Sequence, residues 1–310
     1  MNNICFLLGA GFSHAITDEK LLLTKDLMDK IKPFISSTPE LQNDFDNTYS
    51  NIELFITLLD VKIQSEKNDS LKDNMKEIKE QIKQEIIKYY DIDKLDDNYP
   101  LCESFIKKIP QNAYILTLNY DCVLDKYLWL SKRWSPEGGY IYPIFPRSSF
   151  IKNSKLDGIK LLKLHGSCNF RNDIHDQAYF KIEITPQIFP NCHSFLCDRD
   201  GGLDAGPHVL VMSYLKNYHN GIMWLWRKAI NALKNADKLI IIGCSLRNED
   251  LFLRFALYHF GMKKNVDNLS IEIIDKDKSI SESIKSKIED LAAWPNKQKY
   301  TIYNNIKDYL

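Results

Sequence analysis

Hydrophobic residues in this chain gather in short runs, each closed by turn chemistry. Five stand out: "ICFLLGAG", "AYILTLNYD", "IKLLKLHGS", "KLIIIGCSL" and "NLSIEIIDKD". They are apolar without clean alternation, the signature of strands buried on both faces in a parallel sheet covered by helices. Helical periodicity separates several of them, in "CVLDKYLWLSKRW" after the second run, "GIMWLWRKAINALKNAD" before the fourth and "EDLFLRFALYHFG" after it. Strands alternating with helices predict an α/β fold, a Rossmann-like parallel sheet with helices on both faces.

The interval between the first and second runs, about residues 18–110, is different in kind. It is rich in Lys, Asp, Glu, Leu and Ile, and "SLKDNMKEIKEQIKQEIIKYYD" sets Leu71, Met75, Ile78, Ile82, Ile86 and Tyr89 three and four positions apart. That spacing predicts an amphipathic helix. Ser70 is its expected cap, with Asp73 three positions on in a weakened capping box. The interval therefore reads as a helical insertion in a single domain spanning residues 1–310. Two further stretches, about 132–158 and 167–207, carry Pro, Gly, Asn and Asp with little periodicity and read as long loops able to cover a site.

Composition narrows the function classes. The 310 residues include 41 basic and 41 acidic side chains, 44% hydrophobic and 26% charged residues. No basic field points to nucleic acid, and no apolar run approaches the roughly 20 residues that cross a bilayer. Seven cysteines, an odd number scattered along the chain, read as reduced thiols rather than a disulfide framework. The first apolar run lacks a basic leader and meets Ser13 and His14 at once, so a cytoplasmic location is expected.

The chemistry lies where the runs end. The first closes on Gly9, Ala10, Gly11 and Ser13, glycines that bring backbone N–H groups to a helix start where phosphate can be held. A dinucleotide fingerprint asks for a third small residue where His14 stands, and for an acidic residue about 20 positions on, so a plain dehydrogenase is disfavoured. The second run ends on Thr117, Asn119 and Asp121, the third on His165, Gly166 and Ser167, and the fourth on Gly243 and Ser245 with Asp250 downstream. Each has an ordinary use too: Asp121 as a helix cap, Asn119 in a turn, His165 as a structural loop histidine. Their convergence on the carboxyl edge of one sheet, where open α/β folds bind ligands, favours a site.

These four motifs, in order, resemble the sirtuin family, with its Gly-Ala-Gly-x-Ser loop, Thr-x-Asn-x-Asp motif, His-Gly pair and Gly-x-Ser turn. The stretch from Val209 to Arg254 resembles divergent bacterial sirtuin-like domains of anti-phage defence, which hydrolyse NAD. The resemblance implies that His165 is a base toward a ribose hydroxyl or water and that Asn119 orients that water. It implies that Asp121 holds the nicotinamide carboxamide. Gly9, Ala10, Gly11 and Ser13 would lie at the pyrophosphate, Thr117 belongs to the same cofactor motif, and Gly243 and Ser245 lie toward the adenosine. Asp275, closing the fifth run, could accept from the adenosine ribose hydroxyls or simply form a turn.

Deacylating sirtuins carry two Cys-x-x-Cys pairs on a zinc ribbon, and this chain has none. The nearest candidate, Cys192, His193 and Cys197, has the wrong spacing for a four-ligand site, so no zinc is expected. The resemblance thus implies NAD hydrolysis to nicotinamide and ADP-ribose. An unregulated NAD hydrolase would poison its own cell, so control is expected from self-assembly into a homo-oligomer or from a partner such as a ring-forming ATPase or an Argonaute-like protein. The helical insertion and the helix with Trp224 and Trp226 are candidate contact surfaces. Four alternatives are a non-catalytic sensor of NAD or ADP-ribose, a protein deacylase, a structural interaction module and the disfavoured dehydrogenase.

Overall fold

In the computed structural model the described residues are 3–36, 39–48, 51–90, 98–141, 158–172, 180–182, 188–189, 207–211, 213–215, 220–247, 250–262, 269–291 and 299–310. The first strand, β1 (Ile4–Leu8), runs into α1 (Ala10–Ile16). Then come α2 (Thr24–Ser36), α3 (Pro39–Asn47), α4 (Ile52–Ser65), α5 (Asp69–Lys88) and α6 (Pro100–Lys108). The chain returns through β2 (Tyr114–Thr117), α7 (Val123–Leu130), α8 (Pro136–Gly139) and β3 (Lys160–Lys163). Three short strands follow, β4 (Gly166–Asn172), β5 (Phe180–Ile182) and β6 (Pro207–Val209), and then α9 (Asn220–Asn235) and β7 (Lys238–Ile242). The last elements are α10 (Leu251–Tyr258), β8 (Ser270–Ile274), α11 (Lys278–Leu291), β9 (Lys299–Tyr303) and α12 (Ile306–Tyr309).

Six strands form one sheet in the order β3-β2-β1-β7-β8-β9, and every pairing in it is parallel. The expected fold class is therefore the observed one, an α/β sheet flanked by helices. All five apolar runs became strands because consecutive Leu and Ile residues have protein on both sides: Leu7, Leu8, Ile115, Leu161, Ile241 and Ile273 are all buried to 0% exposure. Burial of that area is the main favourable term in folding.

The strand order reverses direction between β1 and β7, the topological switch point at which the loops after neighbouring strands diverge and open a crevice. Leu8 pairs in register with both Thr117 and Ile242, and Ile242 with Ile274. The strands therefore finish level with one another, which gathers the turn residues that follow them.

Three expectations need correction. The stretch 167–207, read as loop, contains β4 and β5 and meets β6, which form a separate three-stranded antiparallel sheet in the order β5-β4-β6; its strands are short and polar, so they carry no apolar run. The sixth strand of the main sheet, β9, went unread because at the edge it alternates exposed and half-buried positions in "KYTIY". The cap of α5 is Asn68, whose side chain accepts from Leu71 N, while Ser70 sits inside the first turn.

The interval 18–110 holds the helices α2 to α6. Phe45 and Phe55 meet edge to face at 5.5 Å in a core with Ile31, Ile35, Ile56, Ile82 and Ile86. On the sheet side, Phe105 of α6 meets Phe6 of β1 edge to face at 5.5 Å, and polar bonds tie α4 to the segment after β6. Ser213 Oγ donates to Asp60 Oδ2 at 2.7 Å and Tyr214 N to Thr57 Oγ1 at 2.8 Å, both on α4. Trp226 on α9 is buried in the core and Trp224 half-buried, with Lys228 Nζ 4.6 Å over its ring.

Candidate functional site at the sheet's switch point

Why a strand should end on Gly-Ala-Gly becomes clear at the β1–β7 junction. A Cβ on Gly9 would lie 2.5 Å from Gly243 O, and one on Gly243 would lie 2.2 Å from Phe12 N. Gly243 also holds φ +56°, a left-handed conformation that glycine adopts without steric cost. The loops after β1 and β7 therefore touch backbone to backbone. The N–H of Gly9 donates to Ile242 O at 3.1 Å and that of Gly11 to Gly243 O at 2.9 Å. This revises the expected use of the glycines: two of their N–H groups are spent on β7 carbonyls and the turn after them, and within Gly9–Gly11 only that of Ala10 is not engaged this way.

A cavity of about 790 Å³ opens above this contact, within the range for a drug- or cofactor-sized ligand. Of the residues singled out from the sequence, Gly9, Ala10, Gly11, Ser13, Asn119, Asp121, His165, Gly243, Ser245 and Asp275 all line it. Thr117 does not. It is buried beneath, and its Oγ1 accepts the N–H of Asn119 at 3.1 Å, holding the turn after β2.

Asn119 is oriented by a hydrogen-bond chain. Ser13 Oγ donates to Asp121 Oδ2 at 2.7 Å, so it can only accept from Asn119 Nδ2 at 2.8 Å, and the same amide nitrogen donates to Gly9 O at 2.8 Å. A carbonyl cannot donate, so the network fixes which end of the amide is nitrogen. With both donors spent inside the protein, Asn119 presents Oδ1 as its acceptor. Asp121 is buried and its other oxygen accepts from Val123 N at 3.1 Å. Burial raises its pKa above the ordinary carboxylate value, and the Lys163 charge and the Ser13 and Val123 hydrogen bonds offset this only in part.

Beneath these residues lies a buried ion pair that sequence reading missed. Lys163, at the end of β3, and Asp125, on α7, are both about 1% exposed and 3.1 Å apart. Lys163 Nζ also donates to Asp121 O at 2.5 Å, and Asp125 accepts from Tyr140 Oη. A lysine inside "IKLLKLHGS" looks like strand patterning; only its proximity to Asp125 shows otherwise.

His165 follows β3, and its Nε2 lies 3.1 Å from Asp250 Oδ2, each side chain 9% exposed. The helical insertion and the far strands complete the walls. Glu53 on α4 pairs with Arg247 at 2.9 Å, and both line the cavity. Asp275 is half-buried, accepts from Asp277 N at 3.0 Å, and has its pKa raised by burial.

Among the described residues no group of three or more His, Cys, Asp or Glu side chains could hold a metal ion. Cys192, His193 and Cys197 lie outside the described residues. The described cysteines, Cys5, Cys102, Cys122, Cys168 and Cys244, are free thiols. No described helix is long and apolar enough to cross a membrane.

Fold and site together define an α/β protein with a large ligand crevice at the switch point of a parallel sheet. No family model matches the chain, and no curated protein matches it. Among solved structures it is similar to a Sir2 protein in complex with an inhibitor, 2′-O-acetyl-ADP-ribose and a deacetylated peptide. That match has 14% identity and a TM-score of 0.42, over 99% of this chain and 90% of that one. It is also similar to a Sir2 homologue in complex with NAD, at 12% identity and a TM-score of 0.41, over 93% of this chain and 90% of that one.

Proposed function

We propose that this protein hydrolyses NAD at the bond between nicotinamide and ribose. The observation that carries the reading is the meeting of Asn119, His165 and the Gly9–Gly243 contact around one cavity at the switch point. This is the position where open α/β sheets take nucleotides. NAD is the substrate. The pair of electrons in the bond to ribose C1′ leaves with the pyridine nitrogen, which is cationic before cleavage and neutral after it, so no acid is needed. Water oxygen then bonds to C1′ and gives its proton to His165.

The protein's contribution is position and charge. Asn119 Oδ1, held by the Ser13 and Gly9 hydrogen bonds, accepts from the water or a ribose hydroxyl. Asp121 retains lone pairs for the carboxamide N–H group beside its Ser13 and Val123 contacts. The pyrophosphate lies along Gly9 to Ser13, where Ala10 supplies the available N–H, and Gly243, Ser245 and Asp275 take the adenosine side. In the cell such an activity depletes NAD and fits a regulated effector of anti-phage defence, switched by self-assembly or by a partner chain such as a ring-forming ATPase or an Argonaute-like protein.

The test is chromatographic: purified protein at several concentrations with NAD, with and without an acylated peptide, beside His165→Ala and Asn119→Ala. The expected result is peptide-independent nicotinamide release that falls by about a hundred- to ten-thousand-fold in each folded variant. Release that requires the peptide would make the protein a deacylase. Tight binding without release at any concentration would make it a sensor.

A further inference from the structure

Asp250 belongs to none of the motifs that the resemblance assigns a role, yet its carboxylate meets the imidazole of His165. Its two oxygens do two jobs. Oδ2 lies 3.1 Å from His165 Nε2, while Oδ1 accepts the N–H of Leu253 at 3.3 Å and so caps α10. The carboxylate is thereby tied to the first turn of a helix and cannot swing away without uncapping it. The histidine is held from its own side, since His165 O accepts from Leu210 N at 2.8 Å and its ring lies 6.2 Å from that of the buried Trp226.

We propose that Asp250 is a positioning residue for His165, accepting the Nε2–H, selecting the tautomer with the lone pair on Nδ1, and favouring the imidazolium once that lone pair takes a proton. A carboxylate at hydrogen-bond distance in a buried site favours the charged imidazole. A base held in one tautomer needs no reorganisation before proton transfer. When His165 accepts the proton from water, the Nε2 proton stays where it is, hydrogen-bonded to Asp250. The catalytic part of this inference rests on the reading of His165 as the base in NAD cleavage; the pairing itself does not.

Other charged or titratable groups line the same cavity, and those on the elements around the pair have partners of their own. Arg247, on the segment before Asp250, pairs with Glu53 of α4. Asp121 after β2 is tied to Ser13 and Val123, and Tyr120 Oη donates to Leu210 O at 2.5 Å. Asp60 of α4, behind Ser213, is paired with Lys79. On the far wall, Glu19 lies between His14 and Lys276.

Asp250→Asn separates the two jobs, because asparagine caps a helix as well as aspartate does but carries no charge. The full-length protein, labelled with nitrogen-15 in its histidine rings, would be titrated by NMR, with His165→Gln assigning the signal. The expected result is an Nε2–H tautomer in the wild type and a His165 titration midpoint at lower pH in Asp250→Asn. In turnover, Asp250→Asn should lose roughly ten- to a hundred-fold in nicotinamide release and shift the acid limb of its pH profile downward. NAD affinity by calorimetry should not change, and Asp250→Glu should recover part of the rate.

An unchanged tautomer and midpoint in folded Asp250→Asn would overturn the proposal, whatever the activity. If the wild type cleaves no NAD while the NMR shift is present, the positioning pair stands and the hydrolase reading fails alone. Should Asp250→Asn unfold, Asp250→Ser, another good cap, takes its place in the same titration.

Discussion

Asn119 donates to Ser13 Oγ at 2.8 Å although 106 positions separate them, and this bond, with the one to Gly9 O, sets which end of the Asn119 amide is left to the cavity. Ser13 must accept because its own proton goes to Asp121. In Ser13→Ala the amide loses one of its two acceptors and Asp121 loses a donor. A roughly ten- to a hundred-fold drop in nicotinamide release is expected, with a stability loss of about 1–2 kcal/mol for the buried bonds. Steady-state turnover and a urea titration check the two numbers separately.

Gly243→Ala should be far more damaging to the fold. The new Cβ would stand 2.2 Å from Phe12 N and 2.3 Å from Gly11 C, both main-chain atoms that cannot rotate aside, on a residue already at φ +56°. Overpacking and strain of this kind cost about 2 kcal/mol or more. A lower urea midpoint with the transition slope unchanged is expected.

Lys163→Met should leave the Asp125 charge buried without its partner, at a cost of about 3–5 kcal/mol. The paired change Lys163→Met with Asp125→Leu should recover a large part of this, because two apolar side chains need no mutual neutralisation. Equilibrium unfolding of the two single variants and the double one closes the cycle.

The pH dependence of stability should carry a contribution from Asp121. Burial raises its folded pKa above the ordinary value, so in the window between the unfolded and folded values the folded protein keeps a proton that the unfolded chain releases. Stability therefore falls as pH rises through that window and is regained on acidification. Asp121→Asn has no such proton, so denaturation midpoints measured across weakly acidic pH should lose this component of slope.

Much of this was legible along the chain. The buried strands read directly because residues in matching register, Leu7, Leu116, Leu162 and Ile241, each stand inside a run of consecutive apolar positions. The strand ends read because Gly9, Asn119, His165 and Gly243 break those runs. What stayed hidden was β9, whose edge position tolerates Lys299 and Thr301, and the small antiparallel sheet, whose strand β4 buries the polar Ser167 and Asn169 beside Phe170 and so leaves no apolar run.

Sequence alone determined which segments are the buried strands and which polar residues close them, because burial is written in local composition and a turn needs its own residue types. Tertiary structure alone decided that Ser13 holds Asn119, that Lys163 meets Asp125 and that Asp250 meets His165. Such bonds are set by distances between remote segments, and those distances exist only once the parallel sheet has brought the strand ends level.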